Sequence, residues 1–270
     1  MPSSVAPEKA FYEILEDLKE YLSDLTLVGG WLPLVYARHL WGLSIGNIVT
    51  TADVDFGVSG ALSSKHRITV YDTLSALKYN ERHIKLGHLL PVVFYRGGKI
   101  PVEFIADREA DAEAIARALG TEVHINRIDG FEFLLQQRIP VTIKRGPRKI
   151  AVYCPRPAAF LYNKLSTFSH RETDDKKAKD LVYAYFVLRF APDITEVFRQ
   201  IRAYKDRHIF PAIESELPPF FKSLTSQGPL WIERENGPDE FVEDVREDAF
   251  ERFQELLRNV YGKSSGTHEV

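Results

Sequence analysis

Apolar and polar positions follow two different rhythms along the chain. Before about Pro155 the apolar residues come in short runs rich in Val, Ile, Phe and Tyr, broken by glycines and charged turns. Such runs predict strands at Leu25–Val28, Asp53–Val58, Leu90–Tyr95, Ile100–Ala106, Val123–Ile125, Val141–Lys144 and Ile150–Tyr153. Leu90–Tyr95 and Ile100–Ala106 form the clearest hairpin, because Arg96-Gly97-Gly98-Lys99 between them supplies the positive φ angles of a tight turn. Spacings of three and four mark helices around these strands. Phe11, Ile14, Leu15, Leu18 and Leu22 recur along Pro7–Tyr21 with Glu13, Glu16, Asp17 and Lys19 on the other side, and helices are also expected at Trp31–Trp41, Val70–Leu77 and Arg108–Leu119. Gly46–Thr51, Ser63–Arg67 and Lys78–Lys85 read as polar connections.

Beyond Pro155 the strand signals stop. Helical periodicity covers Pro157–His170, Asp174–Phe190, Ile194–Tyr204 and Pro238–Tyr261, with an irregular, proline-rich Pro211–Gly228 and a frayed Ser264–Val270. The expected fold is α/β. A mixed sheet of about five strands with flanking helices occupies residues 1–154, and a mostly helical C-terminal domain occupies 155–270, with the cleft between them.

Two stretches carry more than packing. In Thr51-Ala52-Asp53-Val54-Asp55-Phe56 the carboxylates of Asp53 and Asp55 project from one face of a strand while Val54 and Phe56 project from the other. At a rise of roughly 3.3 Å per residue those like charges stand about 6–7 Å apart, so a cation is expected between them, and a hard divalent ion with oxygen ligands suits the site. Upstream, Leu27-Val28-Gly29-Gly30-Trp31 turns from strand into helix, where free backbone N–H groups and the positive end of a helix dipole favour phosphate. Glu103 adds a third acid inside the otherwise apolar run Pro101–Ala106.

Composition narrows the class further. A formal net charge of −3 argues against a protein that coats nucleic acid by bulk charge. One cysteine, Cys154, excludes an intramolecular disulfide and a cysteine-rich zinc site, and reads as a small strand residue. His39, His83, His88, His124, His170 and His208 lack metal-ligand spacing; only His170, beside Arg171, is expected to face the cleft. No run approaches the roughly 20 apolar residues of a membrane span, and the N-terminal residues lack a leader pattern, so a cytoplasmic protein with no membrane partner is expected.

The order of these features resembles the DNA polymerase β-like nucleotidyltransferase superfamily: Val28-Gly29-Gly30 at a strand–helix turn, Thr51-x-Asp53-Val54-Asp55 on the next strand, Glu103 on a later one. Ile150–Pro155, Ala159–Leu165 with Lys164, Arg171 and Lys179-Asp180-Leu181 are similar to the abortive-infection (AbiEii-like) branch, the toxins of type IV toxin–antitoxin pairs. The resemblance spans Leu25 to Leu188 and implies an enzyme that moves a nucleoside monophosphate from an NTP such as ATP to a hydroxyl and releases pyrophosphate. It implies two Mg2+ ions on Asp53, Asp55 and Glu103, with Glu103 as ligand or general base. It also implies nucleotide contacts from Gly29, Gly30, Thr51, Lys164 and Asp180, an RNA or tRNA acceptor and a cognate antitoxin protein. Val49 stands where the family often has Arg, and Lys177 where it often has an acid. Two other readings stay open: a catalytically inactive nucleotide- or partner-binding module of the same fold, and a small-molecule (antibiotic) nucleotidyltransferase.

Overall fold

The computed structural model describes residues 5–46, 48–59, 67–86, 90–97, 99–205, 213–236 and 243–262. Gly98, His88, His208, Pro211, the Ser63–His66 connection, the Pro238 helix start and Ser264–Val270 lie outside them. The chain forms two compact units, one of residues 1–44 and 50–156, the other of 45–49 and 157–270.

In the first unit, helix α1 (Val5–Asp17) precedes β1 (Leu25–Val28), a 3-10 turn over Gly29–Trp31 and the short α2 (Leu32–Val35). A π-helical turn, Tyr36–Leu40, completes the helical segment expected at Trp31–Trp41. Next come β2 (Val54–Val58), α3 (Val70–Ala76), β3 (Asn80–His83), β4 (Val92–Arg96), β5 (Ile100–Asp107), α4 (Ala112–Leu119), β6 (Ile125–Ile128), α5 (Glu132–Gln136), β7 (Arg138–Arg145) and β8 (Arg148–Pro155). Among the described residues, eight strands make one mixed sheet in the order β3-β4-β5-β2-β1-β8-β7, with β6 also paired to β5. The expectation of about five strands is too low. β3 reads Asn-Glu-Arg-His and is exposed throughout, so it belongs to the sheet through its backbone pairing with β4 and has no apolar face to reveal it. Helix α5 also lies in a stretch where no element was expected.

Register explains the two faces of the sheet. Antiparallel β1–β2 pairing sets Val28 opposite Asp55 and Thr26 opposite Gly57. Parallel β2–β5 pairing sets Asp55 beside Glu103 and Phe56 beside Phe104. Leu25, Leu27, Val54, Phe56, Val58, Val102, Phe104 and Ala106 therefore share one apolar face, and all are almost fully buried. Phe11, Ile14 and Leu15 of α1, Leu74 of α3 and Ile115 of α4 are buried just as deeply. The opposite face carries Thr26, Asp55, Gly57 and Glu103. Part of it is covered by α5: a Cβ at Gly57 would come within 2.6 Å of Leu135 and 3.0 Å of Phe131, so only glycine admits those side chains. Asp107, at the end of β5, accepts the N–H of Glu132 at 2.8 Å and of Glu109 at 3.0 Å, which fixes where α5 starts.

The second unit is helical: α6 (Pro157–Thr167), α7 (Asp174–Phe190), α8 (Ile194–Lys205), α9 (Ile213–Glu216), α10 (Gln227–Asn236) and α11 (Val245–Leu256). Helix α7 is its centre and packs against α6, α10 and α11. Asp174 and Asp175 in its first turn and Arg189 in its last match the helix dipole. Phe221 and Phe253 stack with centroids 3.9 Å apart. Helix α10 begins inside the stretch expected to be irregular, and among the described residues the last helix starts at Val245. No helix of the described residues is long and apolar enough to cross a membrane.

Candidate metal centre

Asp53, Asp55 and Glu103 converge. One carboxylate oxygen from each lies within 4.8 Å of the others. Asp55 and Glu103 meet because parallel pairing of β2 and β5 makes them side-by-side neighbours on one face. Asp53 lies just before β2, and its backbone is held from two sides. The indole N–H of Trp31 donates to the Asp53 carbonyl at 2.7 Å, and the Thr51 hydroxyl donates to the same oxygen at 3.1 Å. Trp31 is itself fixed, fully buried and stacked on Phe11 at 4.4 Å. Trp31 is thus a core aromatic that also anchors the first acid.

Gly29 follows β1 with φ +76°, a conformation that favours glycine. A Cβ there would fall inside the Asp55 carboxylate, with Asp55 Cγ only 2.9 Å away. Gly29 thus does a job for the acid: it vacates the space that the carboxylate fills. Gly30 is buried in the 3-10 turn that opens the helix.

The electrostatics follow from this crowding. Burial raises the Glu103 pKa, the charge of Asp53 raises it further, and His124 and a hydrogen bond from Asn126 partly offset both. Asp53 Oδ1 is buried and has no hydrogen-bond partner among the described residues. A buried, unpartnered oxygen on a carboxylate that lies close to two others fits a cation far better than it fits a closed protein interior. Magnesium bonds of about 2.0–2.1 Å put two ligands of one ion about 3–4 Å apart, so oxygens inside 4.8 Å are at coordinating range with small movements. The donor set suits Mg2+ or another hard divalent ion.

Two residues that sequence reasoning passed over flank Glu103. Asn126 Nδ2 donates to Glu103 Oε2 at 3.1 Å, and Asn126 Oδ1 lies 3.0 Å from His124 Nε2. Asn126 had no signal in the sequence, and His124 was set aside because its spacing suits no metal site. Lys164 and Asp180 belong to the second unit. Lys164 Nζ donates to Asp180 Oδ1 at 2.6 Å, Arg171 Nε donates to Asp180 Oδ2 at 2.6 Å, and Phe160 and Tyr183 wall the ammonium at 5.7 and 5.2 Å. Arg171 was quoted in the sequence run but given no role; its guanidinium completes this trio.

Residues 10–199 match the model of a protein family described as nucleotidyltransferase. Among solved structures, the chain is similar to the crystal structure of an antigenic nucleotidyltransferase-like protein from Paracoccidioides brasiliensis. The two are 14% identical over 79% of this chain and 94% of that one, with a TM-score of 0.40. No curated protein matches the chain.

Proposed function

The chain belongs to the nucleotidyltransferase family, and we propose that it is a divalent-metal-dependent enzyme that moves a nucleoside monophosphate from an NTP to a hydroxyl acceptor. The observation that carries this reading is the convergence of Asp53, Asp55 and Glu103 within 4.8 Å, with one buried oxygen left unpartnered. The acceptor oxygen bonds to the α-phosphorus, the α–β phosphoanhydride bond breaks, and pyrophosphate leaves with the electron pair. Asp53 and Asp55 would hold the ions, with Glu103 as a third ligand or as the general base. Two bound Mg2+ ions would supply positive charge to the triphosphate and to the entering and leaving oxygens. As general base, the Glu103 carboxylate would take the acceptor's proton as the oxygen attacks. Gly29 keeps the Asp55 carboxylate in place, and Trp31 and Thr51 keep Asp53 in place.

In the same proposal Gly29, Gly30, Thr51, Lys164 and Asp180 contact the nucleotide, the acceptor is RNA, tRNA 3′ ends in particular, and an antitoxin protein restrains the enzyme. The AbiEii-like run from Ile150 to Leu181 supports this part, and a reducing, cytoplasmic setting is consistent with the buried free thiol of Cys154. The test is incubation of the chain with each α-labelled NTP, Mg2+ and total RNA, beside Asp55→Asn. Label should pass to RNA with one NTP, need Mg2+ and fall at least about 100-fold in the variant. Equal labelling by both proteins removes the mechanism, and nucleotide binding without transfer leaves the non-catalytic module.

A further inference from the structure

The flank of Glu103 turned away from Asp55 is served by a hydrogen-bond chain. β4 pairs with β5 up to Val102, and β6 pairs with it from Phe104 onward, so Glu103 sits at the seam between two partner strands. Side chains of the β6 segment fill that seam. Asn126 stands opposite Ile105, on the same face as Glu103 and one pleat along.

The direction of the chain follows from donor chemistry alone. A carboxylate only accepts, so the Asn126 amide turns its NH2 toward Glu103 Oε2. Its carbonyl then faces His124, and a carbonyl also only accepts, so His124 Nε2 carries the hydrogen. His124 thus donates to Asn126, and Asn126 donates to Glu103. The His124 backbone is pinned in turn by its N–H donating to the Val92 carbonyl at 2.9 Å. A glutamate has one more rotatable bond than an aspartate, and ordering such a side chain has an entropic cost. This chain meets that cost before an ion arrives.

We propose that Asn126 and His124 are positioning residues for the metal centre: Asn126, oriented by His124, holds Glu103 Oε2 and turns the other carboxylate oxygen toward the ion shared with Asp53 and Asp55. The inference rests on the reading of those three acids as ion ligands. Partners of this kind behind a metal ligand are typically worth 10–100-fold in metal affinity.

The test titrates the full chain with Mn2+ alone, following free Mn2+ by electron paramagnetic resonance, with melting temperature recorded without ion. Asn126→Ala should bind Mn2+ about 10–100-fold more weakly while melting like the native chain. His124→Leu should lose a similar factor, and His124→Gln, whose side-chain amide N–H still reaches Asn126 Oδ1, should regain most of it. Asn126→Ala with His124→Leu should be no worse than Asn126→Ala alone, since His124 acts through Asn126. Native Mn2+ affinity in Asn126→Ala overturns the proposal. If that variant does not fold, equal affinity in His124→Leu and His124→Gln overturns it. Asp55→Asn separates the two levels. If it too keeps native affinity, the ligand reading itself fails; if it alone loses Mn2+, only the positioning role falls.

Discussion

Each unit of this chain gathers charged side chains into a knot, and the two knots bring different charges together. In the first unit Asp53, Asp55 and Glu103 bring three like charges within 4.8 Å. In the second, Asp180 lies between Lys164 and Arg171, 2.6 Å from each, and the chain supplies its own counter-charge. A buried ion pair contributes little net stability compared with apolar packing, yet breaking one from a single side is costly because the remaining charge is stranded. Crowded carboxylates behave in the reverse sense, since removing one relieves repulsion. The second cluster brings cations to its acid in Lys164 and Arg171, whereas the first gathers three acids in a set that suits a divalent ion.

The sharpest way to break this contrast is Asp180→Ala. It leaves the Lys164 ammonium buried beside Phe160 and Tyr183 without its anion, so urea unfolding should show a loss of about 3–5 kcal/mol. A loss below about 1 kcal/mol would place the trio with solvated surface pairs. Asp53→Asn should do the opposite. Without divalent ions it should melt higher than the native chain, since charges 4.8 Å apart repel by roughly 1 kcal/mol even at the dielectric constant of water. With Mg2+ at 100 times its dissociation constant, the native chain should gain about 2.7 kcal/mol and the variant almost nothing. A variant that keeps the whole Mg2+ response would show that Asp53 is not a ligand.

Asp107 offers the mildest test, because its charge is met by backbone dipoles. Burial pushes its pKa up, but the N–H groups of Glu132, Glu109 and Phe131, with the charge of Arg127, outweigh that and leave it below the usual carboxylate value. A lowered pKa in the folded state means that the unfolded chain takes up the proton first. The stabilisation is therefore present above about pH 4 and lost as pH falls through the lower folded value. The gap in urea midpoint between the native chain and Asp107→Asn should narrow with acid over that window. A gap independent of pH would assign the effect to shape alone.

What the sequence revealed, and what it hid, divides along physical lines. β1, β2 and α7 were readable because burial on one or both sides leaves an apolar run or an apolar majority. β3 was hidden because an exposed edge strand needs only its backbone, and β6 was placed two residues early because Asn126 and Arg127 dilute its apolar signal. At the candidate site, the acids were legible as charges in apolar company. Asn126 was not, because its contact with Glu103 depends on which strands pair in parallel and in what register. Spacing along one chain holds no record of that.

Gly29 and Asp55 form a steric pair as much as a chemical one, since the carboxylate fills the volume where a methyl group at Gly29 would stand. In terms of mutational drift, the aspartate keeps the glycine hostage: while the Asp55 carboxylate stands where it does, a side chain at position 29 collides with it. A descendant that traded Asp55 for a residue with no carboxylate would release that steric hold, leaving only the positive φ to favour glycine. Among relatives of this chain, then, a bulkier residue at the Gly29 position should appear together with loss of the acid, and the pair would mark which lineages still need the charge.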